Sequence, residues 1–219
     1  MNQSEFIGLP MFPLSSVVFP YAGLPLQVFE SRYKKMMQKV LGGDQCFGTA
    51  LIVRGSETGG GDTRSDIGVR VRILEADQRP DGGWTVFAAG IERISISRWL
   101  TDDPYPSADC SPLNDENLQP DATPLLNLAA ERLRVFLQSA AQLGFTVPSS
   151  DFELVSDPEI ATWQLCTMSP MGPMDRQILL AELDPSRRLE LFSEMMEDQL
   201  ILLHSRIRPD DGPQWSATN

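Results

Sequence analysis

The apolar residues of this chain change their period near residue 120, from two to about 3.6, and a chain so patterned folds as a sheet followed by helices. Leu24, Leu26 and Val28 alternate with Pro25, Gln27 and Phe29, and Val69, Val71 and Ile73 alternate with Arg70, Arg72 and Leu74. Asp81-Gly82-Gly83 offers the positive-φ turn that reverses the chain into a strand at 84–88. Ile94 and Ile96 continue the alternation, and residues 46–53 are another apolar strand. Gly48, Gly68 and Gly90 fall inside strands, where a sharply curved sheet places its bends. One helix interrupts this half at about 31–41. Tyr33, Met36, Met37, Val40 and Leu41 share one face, and Gly42-Gly43 ends it.

Residues 101–124 carry five prolines and read as a connector. Helical period follows at about 125–143, 159–168, 175–183 and 186–206. Asp157-Pro158 and Asp184-Pro185 open two of these helices, and Leu189, Phe192, Met196, Leu200, Leu203 and Ile207 form the stripe of the last. The expected organisation is an α+β chain: strands with one helix over 1–120, a helical bundle over 121–208, and a polar tail with Trp215 at 209–219 that its composition marks as disordered.

Scarce residues exclude much chemistry. The formal charge of −12 has the wrong sign for gripping a phosphate backbone, so nucleic acid is a disfavoured partner. His204 is the single histidine, and it reads as a helix-face residue, with no serine motif or metal-ligand set around it. The only lysines, Lys34, Lys35 and Lys39, face away from the apolar side of the first helix. The glycines at 59–61 look like a phosphate cradle, yet no lysine and hydroxyl follow, and the loop at 55–66 reads as a mobile hairpin tip. Cys46, Cys110 and Cys166 have neither disulfide-framework nor zinc spacing. No secretory leader and no apolar run of about 18 residues occur, so the expectation is a cytoplasmic protein without cofactor, metal or membrane span.

One stretch is far more specific than the rest: Leu9-Pro10-Met11-Phe12-Pro13-Leu14, then Val17-Val18-Phe19-Pro20, then Leu24-Pro25-Leu26-Gln27-Val28-Phe29-Glu30-Ser31-Arg32-Tyr33. It resembles the opening signature of the Lon protease N-terminal (LON substrate-binding) domain family in its stand-alone form. Phe47-Gly48, the segment from Gly68 to Ile73, Gly90-Ile91-Glu92-Arg93-Ile94 and Pro104-Tyr105-Pro106-Ser107-Ala108 are similar to later pieces of the same pattern, and so are Asp157-Pro158-Glu159 and the run from Leu183 to Leu189. The resemblance spans about residues 6–207. It implies a PUA-like twisted antiparallel pseudo-β-barrel followed by a helical bundle, and a module that recognises polypeptides.

The motif also has a physical reading. Its prolines, Pro13, Pro20 and Pro25 among them, suit short edge pieces wrapping a barrel. Glu30 meets the positive end of the helix that starts at Ser31, with Arg32 in reach to pair with it. Phe29 and Tyr33, four apart, are expected to clamp that helix onto the sheet.

Full-length Lon proteases add an ATPase and a Ser-Lys protease. The chain has no GxxxxGK[ST], and no lysine follows Lys39, so neither the nucleotide grip nor the dyad is present and the expectation is a non-catalytic protein. The resemblance implies unfolded or client polypeptides as partners, with a separate ATP-dependent protease as a further candidate and a role as adaptor or regulator in protein quality control. Met168, Met171 and Met174 are the candidate peptide-contact residues, since flexible thioethers suit adaptable surfaces, although methionines also fill core gaps. Two alternatives stand beside this. RNA binding, known for other PUA-like barrels, would need a basic patch from Arg54, Arg70, Arg72, Arg93 and Arg98. Small-ligand binding would use a cleft between sheet and helices, for which no carboxylate pair has a telling spacing.

Overall fold

Where apolar and polar residues alternate, the chain forms strands with one buried face. The structure is a computed structural model and describes residues 6–57, 61–116 and 123–205. Six strands are present among them: β1 (Phe6–Leu14), β2 (Gly23–Val28), β3 (Cys46–Arg54), β4 (Thr63–Gln78), β5 (Trp84–Trp99) and β6 (Ser107–Pro112). They form one sheet in the order β2-β5-β4-β3-β1-β6, with β6 pairing a second time, to β5. Val69, Val71, Val86, Ala88 and Ile94 are almost fully buried, as their alternation requires. At the tip between β4 and β5, Gly82 takes φ 74°, and the Asp81 carboxylate accepts from the N–H of Gly83 at 2.9 Å.

The sheet is mixed, and this corrects the antiparallel expectation. β1 and β3 run parallel, Met11 opposite Gly48 through Leu14 opposite Leu51. Between them the chain makes β2 and then helix α1 (Ser31–Leu41), a crossover long enough to return to the same direction.

The prolines of β1 need a second correction. This strand is not an edge piece, because it lies between β3 and β6. Its two pairings use different halves: Phe6 to Pro10 pair with β6, and Met11 to Leu14 pair with β3. Pro10 and Pro13 therefore each have a ladder partner on one side, and the missing N–H can lie on the other. The true edge proline is Pro25, in β2.

The second half has helical period and forms four helices among the described residues: α2 (Thr123–Gln142), α3 (Pro158–Met168), α4 (Pro173–Ala181) and α5 (Pro185–Ser205). The Asp157 carboxylate caps α3 by accepting from the N–H groups of Glu159 and Ile160 at 2.9 and 3.1 Å, and Pro158 takes a first-turn position. Leu189, Phe192, Met196 and Leu203 of the expected α5 stripe are buried. Ile207, Trp215 and the tail at 209–219 lie outside the described residues, as does the boundary at 120–121. Phe12, Phe47 and Val69 of the sheet share one continuous core cluster with Leu133, Trp163 and Phe192 of the helices.

Charge is buried at that seam. Arg93 of β5 and Arg188 of α5 are 3% and 1% exposed, and both pair with Asp115. Arg93 also donates to the carbonyls of Leu180 and Glu182 at 2.9 and 2.8 Å. The Arg188 guanidinium lies 4.0 Å from the centre of the Trp163 ring.

Candidate functional site

The signature residues converge on one place. A cleft of about 170 Å³ opens where the end of β1, strand β2 and the first turn of α1 meet, and its walls include Phe12, Leu14, Pro25, Phe29, Glu30 and Tyr33. Every residue from Pro25 to Glu30 borders it. Both faces of an extended strand contribute, so β2 presents its edge to the cleft.

The floor is aromatic and buried. Tyr33 is 3% exposed, and its ring stacks on Phe12 at 4.2 Å between centroids. Burial pushes the Tyr33 phenol up to about 12, so it stays neutral at physiological pH. The Arg32 guanidinium sits 4.5 Å from the same ring.

The rim is polar and organised around Arg32. Its Nε donates to the Glu30 carboxylate at 3.0 Å, and its Nη2 donates to the Glu57 carbonyl at 2.9 Å. The expected Glu30–Arg32 pair is present, although the Glu30 carboxylate makes no capping bond to the helix. The Glu57 carboxylate accepts from the Ser15 backbone N–H and hydroxyl, each at 2.5 Å. The described part of the glycine-rich loop is thus tied to the cleft, and residues 58–60 lie outside the described residues.

Phe29 does not clamp the helix. It is 60% exposed while Tyr33 alone packs inward, because the strand ends at Val28 and the helix begins at Ser31, and the two residues between follow neither period. Phe29 is an apolar wall open to solvent.

The other signature prolines have separate places. Pro13 is buried in β1, and Pro20 is buried in the turn before β2. That turn holds Tyr21, a non-glycine residue at φ 63°. Two further clefts flank Tyr21. One of about 300 Å³ is bordered by Ala22, Gly23, Val155, Ile160 and Met168. The other, of about 500 Å³, includes Glu92, Arg93, Asp115, Glu159 and Trp163.

The methionines do not form one surface. Met171 is 6% exposed and belongs to the core, whereas Met174 is 54% exposed and Met168 borders the cleft beside Tyr21. The connection that carries them is held by Arg176, which donates to the carbonyls of Cys166, Ser169 and Val17. Met171 is thus largely covered by its neighbours, and of the three methionines Met174 is the most exposed.

The arginines form no single basic patch either. Arg93 is buried against Asp115, Arg70 pairs with Glu92 and Asp44, and Arg98 pairs with Asp109. Arg54 and Arg72 are exposed. His204 is exposed in the last turn of α5. Cys46, Cys110 and Cys166 are free and buried, and burial pushes the thiols of Cys110 and Cys166 up to about 12. No group of metal-ligating side chains occurs among the described residues, and no helix among them is long and apolar enough to cross a membrane.

Comparison with known proteins gives one consistent answer. The chain is 25% identical over 206 residues to a Lon protease of Cytophaga hutchinsonii, covering 93% of this chain and 24% of that protein. It is 26% identical over 218 residues to the Lon protease of Escherichia coli K12, covering 94% of this chain and 27% of that protein. The chain thus spans about a quarter of the length of these relatives. Among solved structures, a Lon N-terminal domain protein from Xanthomonas campestris matches with a TM-score of 0.58 and 27% identity, over 84% of this chain and 96% of that one. The N-terminal domain of a Mycobacterium avium complex Lon protease shares the fold with a TM-score of 0.62 at 16% identity, over 87% of this chain and 98% of that one. Residues 8–198, which include every signature residue around the cleft, match the ATP-dependent protease La (LON) substrate-binding domain, and the chain belongs to that family.

Proposed function

We propose that this chain is a non-catalytic, cytoplasmic polypeptide-binding module, and that the cleft between β1, β2 and α1 receives an apolar side chain of an unfolded client. Membership of a substrate-binding family supports the polypeptide class. The observation that carries the site is the exposed Phe29 lining the same cleft as the buried Phe12–Tyr33 stack. A cleft of about 170 Å³ holds one large side chain. The thiols of Cys110 and Cys166, held protonated by burial, support a role without covalent chemistry. Delivery of clients to a separate ATP-dependent protease, as adaptor or regulator, is the extension of this reading.

The same reading treats the sheet as a PUA-like pseudo-barrel, supported by the second pairing of β6 to β5, and α2, α3 and α5 as a helical bundle packed on it. The barrel subdomain takes residues 1–120 and the bundle 121–208.

The test is equilibrium binding of a fluorescent, permanently unfolded protein to the purified chain. Phe29→Ala should weaken binding by about five- to thirtyfold, the equivalent of about 1–2 kcal/mol. Its thermal midpoint should not move, because the side chain is 60% exposed. Unchanged affinity in Phe29→Ala would remove the cleft from the reading.

A further inference from the structure

The backbone of β2 has an open side. Among the described residues β2 pairs with β5 alone, and it stands first in the sheet order. The Ala22 carbonyl accepts from the Gly90 N–H at 2.9 Å, and the register then runs without a shift from Gly23 opposite Ala89 to Val28 opposite Trp84. Even-numbered residues therefore aim their N–H and C=O groups at β5, and Gly23, Pro25 and Gln27 aim theirs away from it. Pro25 sits at the parity where a missing N–H removes no ladder bond. The open edge still offers the N–H groups of Gly23 and Gln27 and three carbonyls.

The surroundings of that edge are apolar at both ends. The signature cleft borders residues 25–30, and the cleft of about 300 Å³ borders residues 20–23. Tyr21, Phe29 and Phe87 are 49%, 60% and 44% exposed, and Phe87 stands opposite Pro25 on the neighbouring strand. Six residues of strand span about 20 Å, so one added strand would reach from one hollow to the other.

We infer that the open edge of β2 captures a client by strand addition, as a short extended segment whose apolar residues recur at every second position. This rests on the polypeptide-binding reading above and names its substrate class. One face of the added strand seats a side chain against Phe12 and Tyr33, and the other lies along Pro25 and Phe29. The chain carries a formal charge of −12, and of the two carboxylates at the cleft, Glu30 and Glu57, Arg32 pairs with Glu30, so neutral or basic segments are favoured over acidic ones. Folded proteins keep such segments paired inside their own sheets. Only an unfolded client exposes both the side chains and the free backbone groups, and this accounts for selection of unfolded chains.

The experiment uses the full chain and a fluorescent synthetic peptide of about ten residues with alternating valine and lysine or threonine. Two further versions carry N-methyl groups on alternate residues, one version for each parity. Gln27→Pro removes the outward N–H at a position of the same parity as Pro25, so the fold should persist, as a circular dichroism spectrum would show. The expected result is at least about tenfold weaker binding by Gln27→Pro, and a comparable loss for one methylated version only, since only one edge of the peptide meets β2. If Gln27→Pro and both methylated peptides bind like the unmodified pair while Phe29→Ala is impaired, strand addition is wrong and side-chain binding in the cleft stands. If the wild-type chain binds neither the peptides nor unfolded proteins, the polypeptide-binding reading itself fails. A dimer in sedimentation that Gln27→Pro converts to monomer would overturn the inference, by showing that a second copy fills the edge.

Discussion

Two guanidiniums, of Arg93 and Arg188, share the Asp115 carboxylate at the seam between sheet and helices. Arg93 is almost fully buried, and burial lowers it to about 10 even though Asp115 works in the opposite direction. Arg188 shares the same carboxylate and covers the face of Trp163. Removing Asp115 would leave two buried cations without the carboxylate they share. Asp115→Ala should therefore destabilise the fold by about 3–5 kcal/mol, readable as a lower urea midpoint. A midpoint within experimental error of wild type would show that the carbonyls of Leu179, Leu180 and Glu182 suffice. At the other end of the sheet, Arg64 donates to Asp62 at 2.5 Å and to Asp102 at 2.6 Å. The Arg64 hydrogen bonds hold the Asp62 carboxyl below its ordinary 3.8. With the folded value below the unfolded one, the unfolded chain takes up the proton first as pH falls. The contribution of Asp62 is thus complete above about pH 4 and is lost as pH drops through the folded value. Asp62→Asn should be less stable at neutral pH and lose less on acidification, measured as thermal midpoints between about pH 6 and pH 3.

At the scale of elements, the glycines inside strands act through close approach. A Cβ on Gly68 would meet the carbonyl oxygen of Thr49, and one on Gly90 would meet that of Phe19. Gly90 adjoins a register shift, where Val71 pairs with Gly90 after Arg70 pairs with Glu92, so the bend and the glycine occur together. Backbone oxygens cannot swing aside as side chains do. Gly68→Ala should cost about 1–3 kcal/mol of stability in thermal or denaturant unfolding. The elements themselves were legible in the residues. α1 occupies Ser31–Leu41 and α3 starts at Pro158 under its Asp157 cap, because periodicity, caps and turn glycines act over a few neighbouring residues. The prolines were only half legible. Pro25 marks an edge strand, whereas Pro10 and Pro13 sit in a strand with neighbours on both sides, and nothing near them in the sequence distinguishes the two cases.

At the scale of the whole molecule, the order of strands decides what the site can be. Among the described residues β2 has an open edge, because its one partner, β5, holds β4 on its other side along residues 84–89 and meets β6 only farther on, at 94–99. The signature was readable as a unit, and its residues Pro25, Phe29, Glu30 and Tyr33 do line one cleft. Glu57, outside the signature, completes that cleft, and no spacing in the sequence links it to Ser15, 42 residues away. By itself the sequence determined the α+β class, the succession of strands and helices, the turn at Gly82, the cap at Asp157 and the excess of negative charge, since each follows from composition or from contacts within a turn or two. Only the tertiary structure decided the parallel pairing of β1 with β3, the outward Phe29, the burial of Met171 and the joining of Asp115 to Arg188, 73 residues away. Those outcomes depend on which distant segments meet, and a one-dimensional pattern of apolar and polar residues fixes which face of an element is buried without fixing what covers it.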